Sequence, residues 1–299
     1  MCHPNVPFFV CMDEMNLAPV EQYFAEFLSV LESRKLVDGT ITSEPLIKAD
    51  IFKKYEKQLK YDLEIKADDS KSNSNGNLET KDDAVEYGKT KDVYERLKEE
   101  GLRIPSNLIV IGTVNMDETT HQFSRKVIDR AMTIEMNIAD SKEPFNNFFA
   151  GSNVLDYRDT PLPNDLFLPT KVQANEALEE LSEDDKKYLV GNIPTLLHSL
   201  NSALNGTPFK IAYRVQNELV LYFYELRREE KDVPAEELLS QAMDAILMLK
   251  VLPRIEGDEE LLEKPLKKLA EFTANYKQAH AKVEEMQSRL NVHFTSFWP

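Results

Sequence analysis

Glycine is scarce in this chain, with nine residues in 299, and none stands in the arrangement G-x-x-x-x-G-K-S/T that wraps backbone N–H groups around a phosphate. Gly88-Lys89-Thr90 has the last three letters of that loop. Asp83 stands five positions before Gly88, however, and its acidic, polar flanks offer no strand to feed it. Cysteine is scarcer still. Cys2 and Cys11 are the only two, and Cys11 lies in an apolar run, which excludes a disulfide framework or a zinc site and fits a reducing cytoplasm. The five histidines, His3, His121, His198, His280 and His293, are scattered, with no H-E-x-x-H spacing. Positive charge is also short, with 36 Lys and Arg against 52 Asp and Glu. A net charge of −16 excludes a broad grip on DNA or RNA, which needs cations to displace counterions. No apolar run reaches about 18 residues, the length a membrane helix needs. The start, Met1-Cys2-His3-Pro4-Asn5, has neither a basic nor an apolar signal region, so no export or membrane insertion is expected from it.

What is present suits a globular protein with room for two modest domains, at 42% hydrophobic and 29% charged residues. Pro7-Phe8-Phe9-Val10-Cys11-Met12 is a short apolar run that ends in Asp13 and Glu14, two adjacent carboxylates. At the end of a buried strand, Asp13 can hold a magnesium ion through water, while Glu14 can polarise a water that attacks a phosphate. From Leu17 to Glu32 the spacing of Val20, Tyr23, Phe24, Phe27, Leu28 and Leu31 predicts an amphipathic helix, with Pro19 in its first turn. Residues 38–105 read as an insertion. It includes a hairpin around Asp38-Gly39-Thr40, a mobile polar tip at 67–77, and a helix near Val93–Leu97.

The run Asn107–Asn115, rich in β-branched residues and without alternation, predicts a second strand covered on both faces. A short helix over Thr119–Ile128 and a third strand over Ala131–Met136 follow. Beyond a Pro-containing connection, Asp140–Thr170, apolar stripes predict helices near 173–182, 193–205, 214–230, 235–252, 258–272 and 274–291. The aromatic tail Phe294–Pro299 is expected to dock on these helices, because such a tail would otherwise be a sticky exposed patch.

The order of these pieces resembles the second half of an AAA+ nucleotide hydrolase. Met12-Asp13-Glu14-Met15-Asn16, Tyr23-Phe24-Ala25-Glu26-Phe27-Leu28 and Ile111-Gly112-Thr113-Val114-Asn115 look most like McrB-type proteins, the motor GTPases of modified-cytosine restriction systems. The resemblance implies an α/β fold: an incomplete AAA+ parallel-sheet core over 1–139, carrying the 38–105 insertion, and an all-helical lid over 140–299. The core would hold the Walker B strand, the sensor 1 strand and the strand after it.

Carried onto this sequence, the resemblance makes Asp13 the magnesium carboxylate and Glu14 the water-activating carboxylate. Asn115 becomes the sensor of the γ-phosphate or attacking water, Arg130 an arginine finger with Arg125 as its competitor, and Arg214 a second sensor on the lid. Asp129 has the alternative of pairing with an arginine. Implied cofactors are magnesium with GTP or ATP, provided that a phosphate loop is supplied. Implied partners are further copies in a ring or a missing N-terminal part, a McrC-like nuclease subunit, and DNA only indirectly. Without the loop, negligible hydrolysis by this chain alone is expected. The competing expectation is a non-catalytic module that assembles with partner subunits.

Overall fold

The computed structural model describes residues 5–55, 93–115, 123–136, 161–290 and 292–298. It is a mixed α/β protein with a helical C-terminal region, and it divides into two units. The first comprises the described parts of Met1–Met15, Gln22–Thr113 and Asn164–Thr170. The second comprises those of Asn16–Glu21, Val114–Pro163 and Lys171–Pro299. Among the described residues no helix is long and apolar enough to cross a membrane.

In the first unit, β1 (Phe8–Met12) pairs in parallel with β6 (Leu108–Gly112), in register from Phe8 opposite Leu108 to Met12 opposite Gly112. Helix α1 (Val20–Glu32) follows β1, and Phe24 and Phe27 stack along it at 4.5 Å. The expected hairpin is present, with β2 (Lys35–Val37) antiparallel to β3 (Thr40–Thr42). Asp38 and Gly39 both have positive φ, 48° and 74°, as a two-residue turn that follows the strand twist requires. Next come β4 (Pro45–Ile47), α2 (Ala49–Lys54), a helical stretch over 93–100 and β5 (Leu102–Arg103), which pairs with β4. The polar tip expected at 67–77 lies outside the described residues.

Burial in this unit departs from expectation. An apolar, unalternating strand reads as covered on both faces, yet Phe8 and Phe9 are each 49% exposed and Ile111 is 47% exposed. The physical reason is the size of the sheet. Among the described residues β1 and β6 form a two-stranded sheet, and two parallel strands cannot bury both of their own faces. Phe9 does meet Phe167 edge to face, at 5.3 Å between ring centres.

The second unit is mainly helical. After α3 (Arg125–Ile128) come α4 (Ala174–Glu180), α5 (Glu183–Ala203), α6 (Tyr213–Glu229) and α7 (Ala235–Ile246). Helix α7 runs on through a π-helical turn, Leu247–Val251, and a 3-10 turn, Leu252–Arg254. Strand β7 (Glu256–Asp258), α8 (Glu259–Thr273), α9 (Lys277–Leu290) and β8 (Phe294–Ser296) complete it. Leu189, Ile193, Leu219, Phe223, Leu238, Met243, Leu266, Val283 and Met286 share one buried core.

The helices have explicit starts. Ser182 accepts the Asp185 N–H at 3.1 Å, and Asp258 accepts that of Leu261 at 2.9 Å. The Asp244 carboxylate, from α7, accepts the N–H groups of Gln278 and Ala279 and so caps α9. Helix α5 begins ten positions before the expected 193. Gly191 and Pro194 both lie within it, and the apolar face from Leu189 to Ala203 carries the helix past them.

Two segments flanking the helices turned out differently. The tail docks as expected: β8 pairs antiparallel with β7, Phe297 is fully buried, and Arg289 donates to the Ser296 carbonyl at 3.1 Å. The third strand expected over Ala131–Met136 is corrected, because residues 132–136 enter no ladder. Their bonding goes to the helical unit instead. Thr133 N–H donates to the Leu249 carbonyl at 3.0 Å, and Glu135 pairs with the buried Lys282 at 2.6 Å. Met132, Ile134 and Met136 keep strand-like alternation and are exposed, at 48%, 73% and 89%.

Candidate functional site

Chain direction places the two carboxylates. In a parallel pair both strands end on the same side, so Asp13 and Glu14, just past β1, stand beside Thr113, just past β6. Thr113 N–H donates to the Met12 carbonyl and Met15 N–H to the Thr113 carbonyl, each at 3.0 Å. The Thr113 hydroxyl is bound twice. It donates to Asp13 Oδ1 at 2.5 Å and accepts the Glu14 N–H at 2.9 Å. Glu14 sits in the left-handed region at φ 49°, a strained setting for a residue with a Cβ.

Gly112 suits the same turn: a Cβ there would run into the Met15 side chain, which would have to swing aside. Tyr23 steadies the far side by donating to the Met15 carbonyl at 2.6 Å. In the sequence Thr113 is only one letter of the Ile111–Asn115 motif. Its role comes from its register, one step past the strand paired with β1.

Asp13 and Glu14 are exposed, and the second oxygen of Asp13 takes no bond from a described residue. Hard carboxylate oxygens at a strand end fit magnesium, which keeps most of its waters and takes one or two protein oxygens. Asp13 would hold the ion, and Glu14 would orient water beside it. Among the described residues no group of three or more His, Cys, Asp or Glu side chains stands ready for a metal. Such an ion would thus take its remaining ligands from water and phosphate.

The other three residues singled out in the sequence belong to the helical unit. Asn115 has its carbonyl bound by the side chain of fully buried Asn16, at 2.8 Å, and is itself an exposed residue. Residues 116–122, which follow it, lie outside the described residues. Arg130 sits in the turn after α3. Arg214, near the start of α6, donates to the Asp129 carbonyl in that turn at 3.4 Å, so the structure joins the segments carrying these two arginines. Asp129 pairs with Arg254 at 3.0 Å, realising the arginine pairing read as its alternative role. Arg125, the competing finger, lies over the Phe209 ring at 4.8 Å.

Sequence reasoning passed over Lys250, the most buried cation at this turn. It is 2% exposed and donates to the carbonyls of Asp129 at 2.9 Å and Ala131 at 2.8 Å, and it pairs with Glu218 of α6 at 3.0 Å. Burial pushes Lys250 below and Glu218 above its ordinary value, and each opposes the other's shift through its charge. The signal that was available is one lysine at the end of an otherwise apolar stripe.

Compared with known protein families, the chain is similar over residues 170–294 to a domain of unknown function, DUF8727. That span covers α4 to α9 and reaches the first residue of β8. No curated protein and no solved structure matches the chain.

Proposed function

We propose that the chain is the C-terminal part of an AAA+ nucleoside triphosphatase of the McrB-like kind, a GTP- or ATP-driven subunit of a modified-DNA restriction system. The phosphate loop comes from a further segment or another chain. One observation carries this reading: a single hydroxyl, on Thr113, ties the end of β6 to both members of the Asp13–Glu14 pair. That is the arrangement a strand-end metal and water site needs, because it fixes the metal carboxylate and the backbone of the base relative to the neighbouring strand.

In this scheme Asp13 binds the magnesium that neutralises phosphate charge. Glu14 orients the attacking water, and Asn115 donates to the γ-phosphate while accepting from that water. Arg214 grips the nucleotide from the lid. Arg130 offsets transition-state charge at a neighbouring subunit's nucleotide. A McrC-like nuclease and DNA are the partners downstream of the motor.

The test is phosphate release from GTP and from ATP, with the chain alone and with a segment carrying the loop. Alone, no release above background is expected. Supplied with the loop, magnesium-dependent release appears and Glu14→Gln lowers it by about 100-fold or more, the size of a general-base contribution. Release that ignores Glu14→Gln would overturn the scheme.

A second reading, a non-catalytic assembly module, is favoured by the half-exposed apolar strands β1 and β6, which suit a surface that other subunits cover. It predicts association with the supplied segment and no nucleotide turnover.

A further inference from the structure

We propose that Lys250 is the positioning residue for Arg130, holding the turn that carries it from both sides. The inference rests on the reading of Arg130 as a cation that faces phosphate. An ammonium group has three N–H donors and accepts nothing. All three have partners here: the Asp129 carbonyl, the Ala131 carbonyl and the Glu218 carboxylate. The two carbonyls are those immediately before and after Arg130 in the chain. The ammonium thus pins the backbone on either side of the arginine to α6, one helical turn from Arg214.

The π-helical turn Leu247–Val251 places the lysine there. Such turns interrupt an α-helix at the cost of poorer hydrogen bonding, and they concentrate at functional sites. The arrangement is a poor way to gain stability. A buried ion pair loses much of its attraction to desolvation, and Glu218 Oε2 is buried without a hydrogen-bond partner among the described residues. Apolar side chains of the same volume would pack this position at lower cost but would leave two carbonyls, and the turn between them, unfixed.

The experiment is amide hydrogen exchange on the full chain, comparing wild type with the charge-neutral double variant Lys250→Met/Glu218→Gln and with Lys250→Arg. The Ala131 and Thr133 amides, bonded to Val127 and Leu249, report the turn. Those of Leu266 and Val283 report the core. We expect the turn amides to exchange about tenfold faster or more in the double variant while the core amides stay within about twofold, the pattern of a local opening. Lys250→Arg keeps the charge and should still speed the turn, since a planar fork cannot meet three convergent acceptors. Turn amides unchanged, or core amides rising in parallel with them, would overturn the proposal.

In the assembly supplied with a phosphate loop, the double variant should lower kcat as Arg130→Ala does and add nothing to it. Losses that multiply would mean that the lysine does not act through the arginine. If wild type turns nothing over, the reading of Arg130 falls. The exchange result then decides by itself whether Lys250 holds the turn.

Discussion

The helical unit and the strand unit differ in how far each satisfies its own needs. Helices α4 to α9 enclose a core of fully buried Leu219, Phe223, Leu238 and Met243, and the starts of α5, α8 and α9 are capped by residues of the same unit. The two parallel strands carry an equally apolar sequence, yet nearly half of Phe8, Phe9 and Ile111 faces solvent. A helix bonds its own backbone and needs neighbours only for one stripe. A parallel strand needs partners at both edges and cover on both faces. The unit with the two candidate carboxylates is therefore the one that depends on something else.

The comparison can be broken most severely by separating the two. Residues 171–299 alone should unfold in one cooperative thermal transition followed by circular dichroism, and residues 1–113 alone should show none. A cooperative transition in the second would remove the contrast. Single substitutions sharpen it further. Phe223→Ala empties a fully buried site and should cost about 3–5 kcal/mol in urea unfolding. Phe9→Ser, on the open strand, loses a half-buried ring and its edge contact with Phe167 and should cost less, about 1–2 kcal/mol.

Arg227→Ala comes next. Arg227 pairs with Asp185 at 2.9 Å and also donates to the carbonyls of Glu230, Lys231 and Val233, so its loss should cost about 1–3 kcal/mol. Thr113→Val removes both bonds of the hydroxyl, at about 1 kcal/mol each, and Thr113→Ser should recover most of that.

The smallest effect should be Glu180→Gln. Bonds from Lys171 and the Tyr224 hydroxyl hold the Glu180 carboxyl below the ordinary glutamate value. A carboxyl depressed on folding stabilises above its unfolded pKa of about 4.3 and loses that contribution as pH falls through the lower folded value. Wild type and Glu180→Gln should therefore differ slightly at neutral pH, given the exposure of the carboxylate, and converge in acid. A difference that grows in acid would reverse the assignment.

Most of the helical unit was legible because periodicity is a local property. The stripe Leu219, Tyr222, Phe223 and Leu226 predicts α6 to within a residue at each end. The errors arose where tertiary context decides. Met132, Ile134 and Met136 alternate as in a strand, but the backbone between them is bonded to Leu249 and pinned by Lys250, so no ladder forms. The apolar run Asn107–Asn115 announces strand without saying how many strands accompany it, and its burial was overestimated for that reason. Of the candidate residues, Asp13 and Glu14 were visible as a carboxylate pair after an apolar run. Thr113 and Lys250 were not, since each matters through partners about a hundred positions away.

The pairing of β1 with β6 also has a kinetic side. Asp13 and Thr113 lie 100 positions apart, whereas the helical unit is built largely from neighbours in sequence. Contacts that close long loops form late, because the chain loses its freedom before the contact repays the loss. The carboxylate turn should therefore be among the last features to form after denaturant is diluted out. Loop-closure entropy rises only with the logarithm of length, by about 0.6 kcal/mol per doubling. The long excursion between α1 and β6 can thus grow or shrink over evolution at little thermodynamic cost, while the geometry it closes stays the same.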